Sequence, residues 1–215
     1  MKKIFFIQSH FTRIFFLILI FMNNLINQFS LTISLLQKNL EFVLLILVLL
    51  YAIHILNWMC GFRLNYLGIF PRKLFGLIGI FFSPFLHGNF NHLFFNSIPL
   101  FILVSFVLLS GFSVFLCVTG IIFIIGGLGT WLFGRKGVHI GASGVIMGYW
   151  SYLLVEAYYH PTIVSVALAG VCLYYFGGLL FHLFPQQVRT SWEAHVFGFC
   201  GGITAAYVCP LLLAL

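Results

Sequence analysis

Six apolar stretches with almost no charged residues constrain the fold of this chain more than any other feature. A helix needs about 20 apolar residues to cross the roughly 30 Å hydrocarbon core of a bilayer. Only 6% of the 215 residues are charged, against about a quarter in a soluble domain. The pattern predicts an all-α, polytopic membrane protein with six transmembrane helices and excludes an ordinary soluble enzyme. The predicted spans are residues 40–60, 93–109, 113–133, 143–159, 163–184 and 194–215.

The first 39 residues do not fit this pattern. Their apolar run over 14–22 is too short to span a membrane, and Asn23 and Asn24 follow it. We predict that residues 1–39 form an amphipathic or poorly ordered segment and that residues 40–215 form one six-span domain. The fourth span would be only about 25 Å long at 1.5 Å per residue, so it should begin below the membrane surface.

The acidic residues are few, and this excludes several chemistries. The chain has no Asp, and its three acids are Glu41, Glu156 and Glu193. A Ser-His-Asp triad and an aspartyl intramembrane protease are therefore excluded. The net charge of +7 comes from scattered basic residues, which predicts attraction to anionic lipid head groups and no nucleic-acid partner. The five cysteines show no CxxC spacing and are interpreted as small apolar packing residues.

Charge bias alone does not fix the orientation. With the N-terminus in the cytoplasm, the inner ends would carry Lys2, Lys3, Arg13 and Lys38. The outer ends would carry the larger set, Arg63, Arg72, Lys73, Arg135, Lys136 and Arg189. This distribution is opposite to the positive-inside rule.

Polar groups at the ends of three predicted spans are candidates for function, because polar side chains are costly in lipid. His92 and Asn96, four residues apart, share a helical face at the start of the second span. Ser143 lies in Gly141-Ala-Ser-Gly144, where a loop enters the fourth span. Taken singly, the first pair could be a helix end facing water, and the serine could be a helix cap with packing glycines.

The third group is centred on His195 in the last span. Gly198 and Gly202 share its face and would allow close approach of another helix, for which Gly144 and Gly148 form the matching face. A structural histidine bonded to a backbone carbonyl is the alternative. Taken together, the three groups supply what acyl transfer needs: a nucleophile, a base and donors for an oxyanion. Without HExxH or a similar ligand pair, we predict no metal and no cofactor.

These motifs, in this order, resemble those of the rhomboid intramembrane serine proteases, and the resemblance runs from about residue 68 to 202. It implies that Ser143 is the nucleophile and His195 the general base of a dyad without a third member. It further implies that His92 and Asn96 form the oxyanion hole with the Ser143 N–H. The supporting residues it implies are His87, Gly141, Gly144, Gly198 and Gly202.

The resemblance implies an intramembrane endopeptidase that cuts membrane-protein substrates in or near their transmembrane helices, in the inner membrane of a bacterium. Two departures are visible: Met147 replaces an aromatic residue one turn after the serine, and Ile78-Gly79 replaces a Trp-Arg pair. An inactive rhomboid-like protein that binds membrane helices is the alternative. A transporter would need paired ionisable residues at mid-span, but Glu41 and Glu156 lie at span ends.

Overall fold

The fold is a bundle of helices, and every regular element in the described part of the chain is helical. The computed structural model describes residues 2–184 and 191–214, with side chains at residue 13 and from residue 15 onward. Residues 1 and 215, at the ends of the predicted segments, lie outside it. Short 3-10 segments, Leu108–Ser110 and Gly177–Leu183, extend α3 and α6. The helices are α1 Lys2–Met59, α2 Gly79–Phe82, α3 Phe90–Val107, α4 Phe112–Phe133, α5 Ser143–Tyr159, α6 Ile163–Phe176 and α7 Trp192–Leu213.

Each of the six predicted spans corresponds to a helix, which confirms the all-α membrane class. By length and composition, five helices within the described residues could cross a membrane: α1 from Phe15, α3, α4, α6 with its extension, and α7. The remaining one, α5, has 17 residues. At 1.5 Å per residue it measures about 25 Å, less than the roughly 30 Å core. The described residues therefore contain five helices of spanning length and one shorter apolar helix, and the predicted count of six spans stays a prediction.

The first helix, α1, runs through 58 residues without a break. No Gly or Pro occurs before Gly61, so nothing in this stretch favours interruption of a helix. Residues 15–24 are exposed on all sides. The structure thus shows neither a helix boundary after residue 39 nor a one-sided amphipathic face over residues 15–24.

The last helix, α7, lies between α4 and α5 and meets α5 through glycines. A Cβ on Gly198 would overlap the carbonyl of Gly144, and one on Gly202 would overlap that of Gly148. The Ser151 hydroxyl of α5 also donates to the Phe199 carbonyl at 2.8 Å. These contacts bring the two backbones together, so that α5 and α7 begin side by side.

A disulfide joins α4 and α7 at the ends that lie away from the start of α7. It links Cys117 with Cys209, whose Cα atoms are 5.9 Å apart. The interpretation of all five cysteines as apolar packing residues is wrong for this pair. The two cysteines are 92 residues apart in sequence, so spacing gives no indication that they meet.

The loop that leads into α5 is fixed by the connection between α1 and α3. Ile69 and His139 exchange two backbone hydrogen bonds of 3.0 and 2.9 Å, and the Gly141 N–H donates to the Ser83 carbonyl at 2.9 Å. The connection itself is built from 3-10 turns and α2. The residue that begins α5 therefore has its backbone held from the preceding loop as well as from α7.

Candidate active site

Ser143 is the first residue of α5, and the glycine two positions before it shapes the approach. Gly141 has φ +118°, a left-handed conformation that favours glycine. A Cβ at this position would also lie only 2.7 Å from the His92 ring. Backbone conformation and available space therefore both require glycine where the chain turns into α5.

His195, the fourth residue of α7, faces Ser143 across the glycine contact. The distance from its Nε2 to the Ser143 Oγ is 2.9 Å, within the range of a good hydrogen bond. The histidine side chain is buried, with 6% of its surface exposed. The structure thus brings together the serine and histidine that the motifs predicted, although they are 52 residues apart.

The second ring nitrogen of His195 is also bonded. Its Nδ1 lies 3.0 Å from the carbonyl oxygen of His182, and a carbonyl can only accept. The Nδ1 therefore carries the proton, and Nε2 is left to accept from the Ser143 hydroxyl. No sequence signal predicts this contact, because every residue carries a backbone carbonyl.

His87 and Asn96 form a hydrogen-bonded pair beside the same turn. The Asn96 Nδ2 donates to the His87 Nε2 at 3.1 Å, and the Ala142 N–H approaches that nitrogen at 3.4 Å. The His87 side chain is fully buried, and burial, with a smaller contribution from His92, lowers its pKa to about 3. His87 is therefore neutral near pH 7 and acts as an acceptor.

His92 and Asn96 both face the turn before Ser143, as their spacing predicts. Measured from a Cβ placed on Gly141, the His92 Nε2 would be 2.8 Å away and the Asn96 Nδ2 3.6 Å away. The N-terminus of α3 is capped by Asn89, whose Oδ1 accepts from the His92 N–H at 2.8 Å. The two predicted donors therefore lie beside the turn that leads into Ser143.

Met147 and Gly79 lie at the two places where the sequence departs from the motif pattern, and the structure shows the surroundings of both. Met147 is buried on α5, one turn after Ser143. Gly79 lies where the backbone of Gly68 and Ile69 crosses it, leaving no room for a Cβ. A side chain as large as arginine could not replace Gly79 without moving this connection.

Glu193 is directed away from His195, in agreement with its position on the other side of the helix. Its carboxylate is 3% exposed and pairs with Arg135, whose Nε lies 2.7 Å from Oε1. Within residues 2–184 and 191–214, the recorded hydrogen bonds of His195 go to Ser143 and to the His182 carbonyl, and none goes to a carboxylate. Among the described residues, no three His, Cys, Asp or Glu side chains are grouped closely enough to hold a metal ion.

A small cavity of about 40 Å³ adjoins Ser143. Its lining includes the polar residues Ser83, Thr130 and His139. Because one water needs about 10–15 Å³, the cavity has room for a few water molecules. Most of the lining is apolar, and the three named side chains and Ser143 supply its polar groups.

The fold and these contacts define a multi-pass helical membrane protein with a serine and a histidine hydrogen-bonded between the starts of two helices. The family model of the Rhomboid domain matches residues 74–211, which is more than half of the chain. The chain therefore belongs to the rhomboid family. This membership confirms the resemblance drawn from the three motifs.

Three relatives from bacteria resemble this chain. An uncharacterized protein of Mycobacterium tuberculosis is 39% identical over 77% of this chain and 73% of its own length. A second, from Mycobacterium leprae, is 35% identical over 77% of this chain and 69% of its own length. YdcA of Bacillus subtilis, whose name assigns it provisionally to the rhomboid proteases, is 29% identical over 58% of this chain and 63% of its own.

Proposed function

We propose that this protein is an intramembrane serine endopeptidase that hydrolyses peptide bonds in or near transmembrane helices of membrane-protein substrates. The observation that carries the proposal is the 2.9 Å contact between Ser143 Oγ and His195 Nε2. The tautomer imposed by the His182 carbonyl leaves that nitrogen free to take the serine proton. Membership of the rhomboid family supports the same reading.

In the proposed reaction, His195 acts as base and then as acid. As Ser143 Oγ attacks the scissile carbonyl, its proton moves to His195 Nε2 and a tetrahedral intermediate forms. The histidinium then gives the proton to the leaving amine, and the acyl-enzyme remains on Ser143. A water molecule, activated by His195 in the same way, releases the acid and restores the serine.

The oxyanion of the intermediate would be bound by neutral donors. The amide of Asn96 uses one N–H on His87 and has a second to offer, and the His92 ring lies beside it. The Ser143 N–H is at a helix N-terminus, where backbone donors have no partner within the helix. We place all three in the oxyanion hole, with His87 holding Asn96 in position. None of these groups is a carboxylate, in keeping with a site built in lipid.

The proposed substrates are helices that can reach Ser143 from the bilayer. A helical peptide bond is shielded by its own hydrogen bonds, so substrates with small or helix-breaking residues near the site should be cut preferentially. Since the relatives come from bacteria, we place the protein in the inner membrane of a bacterial cell. No cofactor enters the proposed reaction.

The proposal is tested with the purified full chain in lipid vesicles. A fluorophosphonate probe should label Ser143, and a model transmembrane substrate should be cut. Both activities should vanish in Ser143→Ala and persist in Ser105→Ala, which removes a hydroxyl bonded within α3. Cleavage by Ser143→Ala at the unmodified rate would refute the proposal. Substrate binding with neither labelling nor cleavage would favour the inactive helix-binding alternative.

A further inference from the structure

A second polar network lies beside the Ser143 and His195 pair and has no part in the reaction described above. It consists of Arg135 and His139, on the loop between α4 and α5, and of Ser191 and Glu193, at the start of α7. We call these four residues the loop clamp. It spans the two segments that carry the serine and the histidine.

The central contact of the loop clamp is a multiple bond between Arg135 and Glu193. The Glu193 Oε1 accepts from the Arg135 Nε at 2.7 Å and from its backbone N–H at 3.1 Å, and Oε2 lies 3.4 Å from Nη2. The carboxylate is almost completely buried, while the arginine is 44% exposed. A buried carboxylate bonded at several points is much more costly to disrupt than a surface ion pair.

His139 adds a second connection between the same segments. Its Nε2 lies 2.9 Å from the Arg135 carbonyl within the loop, and its Nδ1 is bonded to the Ser191 hydroxyl. The ring is buried. The loop is thus bonded internally and to the residue directly before α7.

The bonds of Glu193 lie on the side of α7 opposite to His195. Glu193 and His195 are two residues apart, about 200° around the helix, and so point in nearly opposite directions. One side of the first turn of α7 is bonded to the beginning of the loop at Arg135. The opposite side is bonded to its end at Ser143. The two ends of the loop are therefore bonded to opposite sides of the first turn of α7.

We propose that Glu193 and Arg135 are positioning residues, whose ion pair fixes the loop on α7 and so sets the distance between Ser143 and His195. This inference rests on the proposed function. Glu193 does not join Ser143 and His195 in the proton transfer. It acts on their positions through the backbone of the loop and of α7. A shift of about 1 Å between reacting groups can cost a hundredfold in rate, so loosening the loop should slow the chemistry.

The test measures the rate of fluorophosphonate labelling per reactive molecule, together with kcat and KM for a transmembrane substrate. In Glu193→Ala and in Arg135→Ala, we expect labelling and kcat at least tenfold slower, with KM changed less than twofold. Glu193→Gln, which keeps an acceptor of the same size, should lose less than Glu193→Ala. The matched control is Glu156→Gln, which removes the carboxylate paired with His160 at the other end of α5 and should react at the unmodified rate.

The double variant Glu193→Ala/Arg135→Ala decides whether the two residues act together. If the two residues act through one ion pair, the labelling rate of the double variant should fall as far as that of the more impaired single variant. If they act independently, the two losses in rate should multiply. Multiplied losses would overturn the inference. So would a smaller labelled fraction with an unchanged rate per reactive molecule, because that result describes folding and not positioning. Should Glu193→Ala fail to fold, Arg135→Ala alone decides by the same rate.

Failure of this inference can be told apart from failure of the proposed function. If the unmodified chain neither labels at Ser143 nor cuts a substrate, the proposed function is wrong. If the unmodified chain labels and cuts, and both alanine variants do so at its rate, only the role of the loop clamp is wrong.

Discussion

His195 has both ring nitrogens bonded, to a serine hydroxyl on one side and to a backbone carbonyl on the other. In a Ser-His-Asp triad the second partner is a carboxylate, which stabilises the charged imidazolium. The His182 carbonyl offers only a dipole, so it can set the tautomer but gives less stabilisation of the charge. This arrangement agrees with a chain that has no Asp.

Replacement of His195 by alanine should abolish cleavage while the protein still inserts and folds. The Ser143 hydroxyl would stay in position but would lose His195, the group that we propose as its base. Cleavage of a transmembrane substrate and elution of the purified protein on size exclusion measure the two parts. His160→Ala, at the far end of α5, is the control. Substantial remaining cleavage in His195→Ala would mean that another group takes the proton.

Replacement of Asn96 by alanine should lower kcat by about 10- to 1000-fold, the usual effect of losing one oxyanion donor. KM should change little, because the donor acts on charge that develops in the transition state. Asn39→Ala removes an amide bonded to the Leu108 carbonyl at 3.4 Å, remote from the serine, and serves as control. An unchanged kcat in Asn96→Ala would remove this residue from the oxyanion hole.

Sequence could predict those residues of the site whose side chains form motifs. Ser143, His195, His92 and Asn96 fall into short patterns, and the structure places all four around one turn. The His182 contact could not be predicted, because its partner atom is common to all residues. The partner of Glu193 could not be predicted either, since Glu193 and Arg135 are 58 residues apart.

At the scale of helices, the contact between α5 and α7 decides where the functional groups meet. The two helices touch through backbone at Gly144 and Gly198, and again one turn further at Gly148 and Gly202. Without side chains between them, the helix starts lie within reach of a single hydrogen bond. The spacing of these glycines predicted the contact, because small residues repeated every four positions form one face of a helix.

Substitution of Gly198 by alanine should destabilise the protein and slow labelling of Ser143. A Cβ there would overlap the Gly144 carbonyl. Overpacking of this kind typically lowers the free energy of unfolding by about 1–3 kcal/mol. The added methyl would also push α7, and with it His195, away from α5. The thermal unfolding midpoint and the rate of fluorophosphonate labelling measure the two effects.

Gly170→Ala is the matched control for this substitution. A Cβ at Gly170 on α6 meets no atom within 4 Å, so the change should be neutral or stabilise the helix by up to about 1 kcal/mol. Equal midpoints and equal labelling rates for the two variants would contradict close packing as the reason for glycine at position 198.

The helix boundaries show which physical signals a sequence carries. The five apolar segments after residue 90 are bounded by Gly, Pro or polar residues, and their predicted limits lie close to the observed ones. In α1, the Asn and Gln residues after Met22 lower helix propensity only slightly. Without Gly or Pro the helix continues. The join between Cys117 and Cys209 depends on the packing of α4 against α7 and has no local signal.

For the molecule as a whole, α1 is far longer than the bundle requires. At 1.5 Å per residue its 58 residues extend about 87 Å, close to three times the hydrocarbon core. Its contacts with the bundle are concentrated in the second half. Val43 and Leu50 are buried there, and the Phe42 ring packs edge-on against Phe115 at 5.7 Å.

Deletion of residues 2–24 should therefore leave both the bundle and the site intact. The side chains described in this stretch are all exposed, so the deletion removes none that is buried in the bundle, and we expect a change in stability of less than about 0.5 kcal/mol, as for single surface substitutions. For a chain of this size, the thermal midpoint should shift by less than about 2 °C. The rate of Ser143 labelling should match that of the full chain.

Deletion of residues 2–44 is the contrasting case, because it also removes Phe42 and Val43 from the core beside α3 and α4. Its thermal midpoint should fall well below that of the shorter deletion, since the packing contacts of these two side chains with the bundle are lost. If the shorter deletion alone already slows labelling of Ser143, then the free half of α1 supports the site. The bundle from residue 40 onward would not then be a sufficient unit. Equal labelling in the full chain and the shorter deletion, with a loss only in the longer one, would place the boundary of the functional unit between residues 24 and 44.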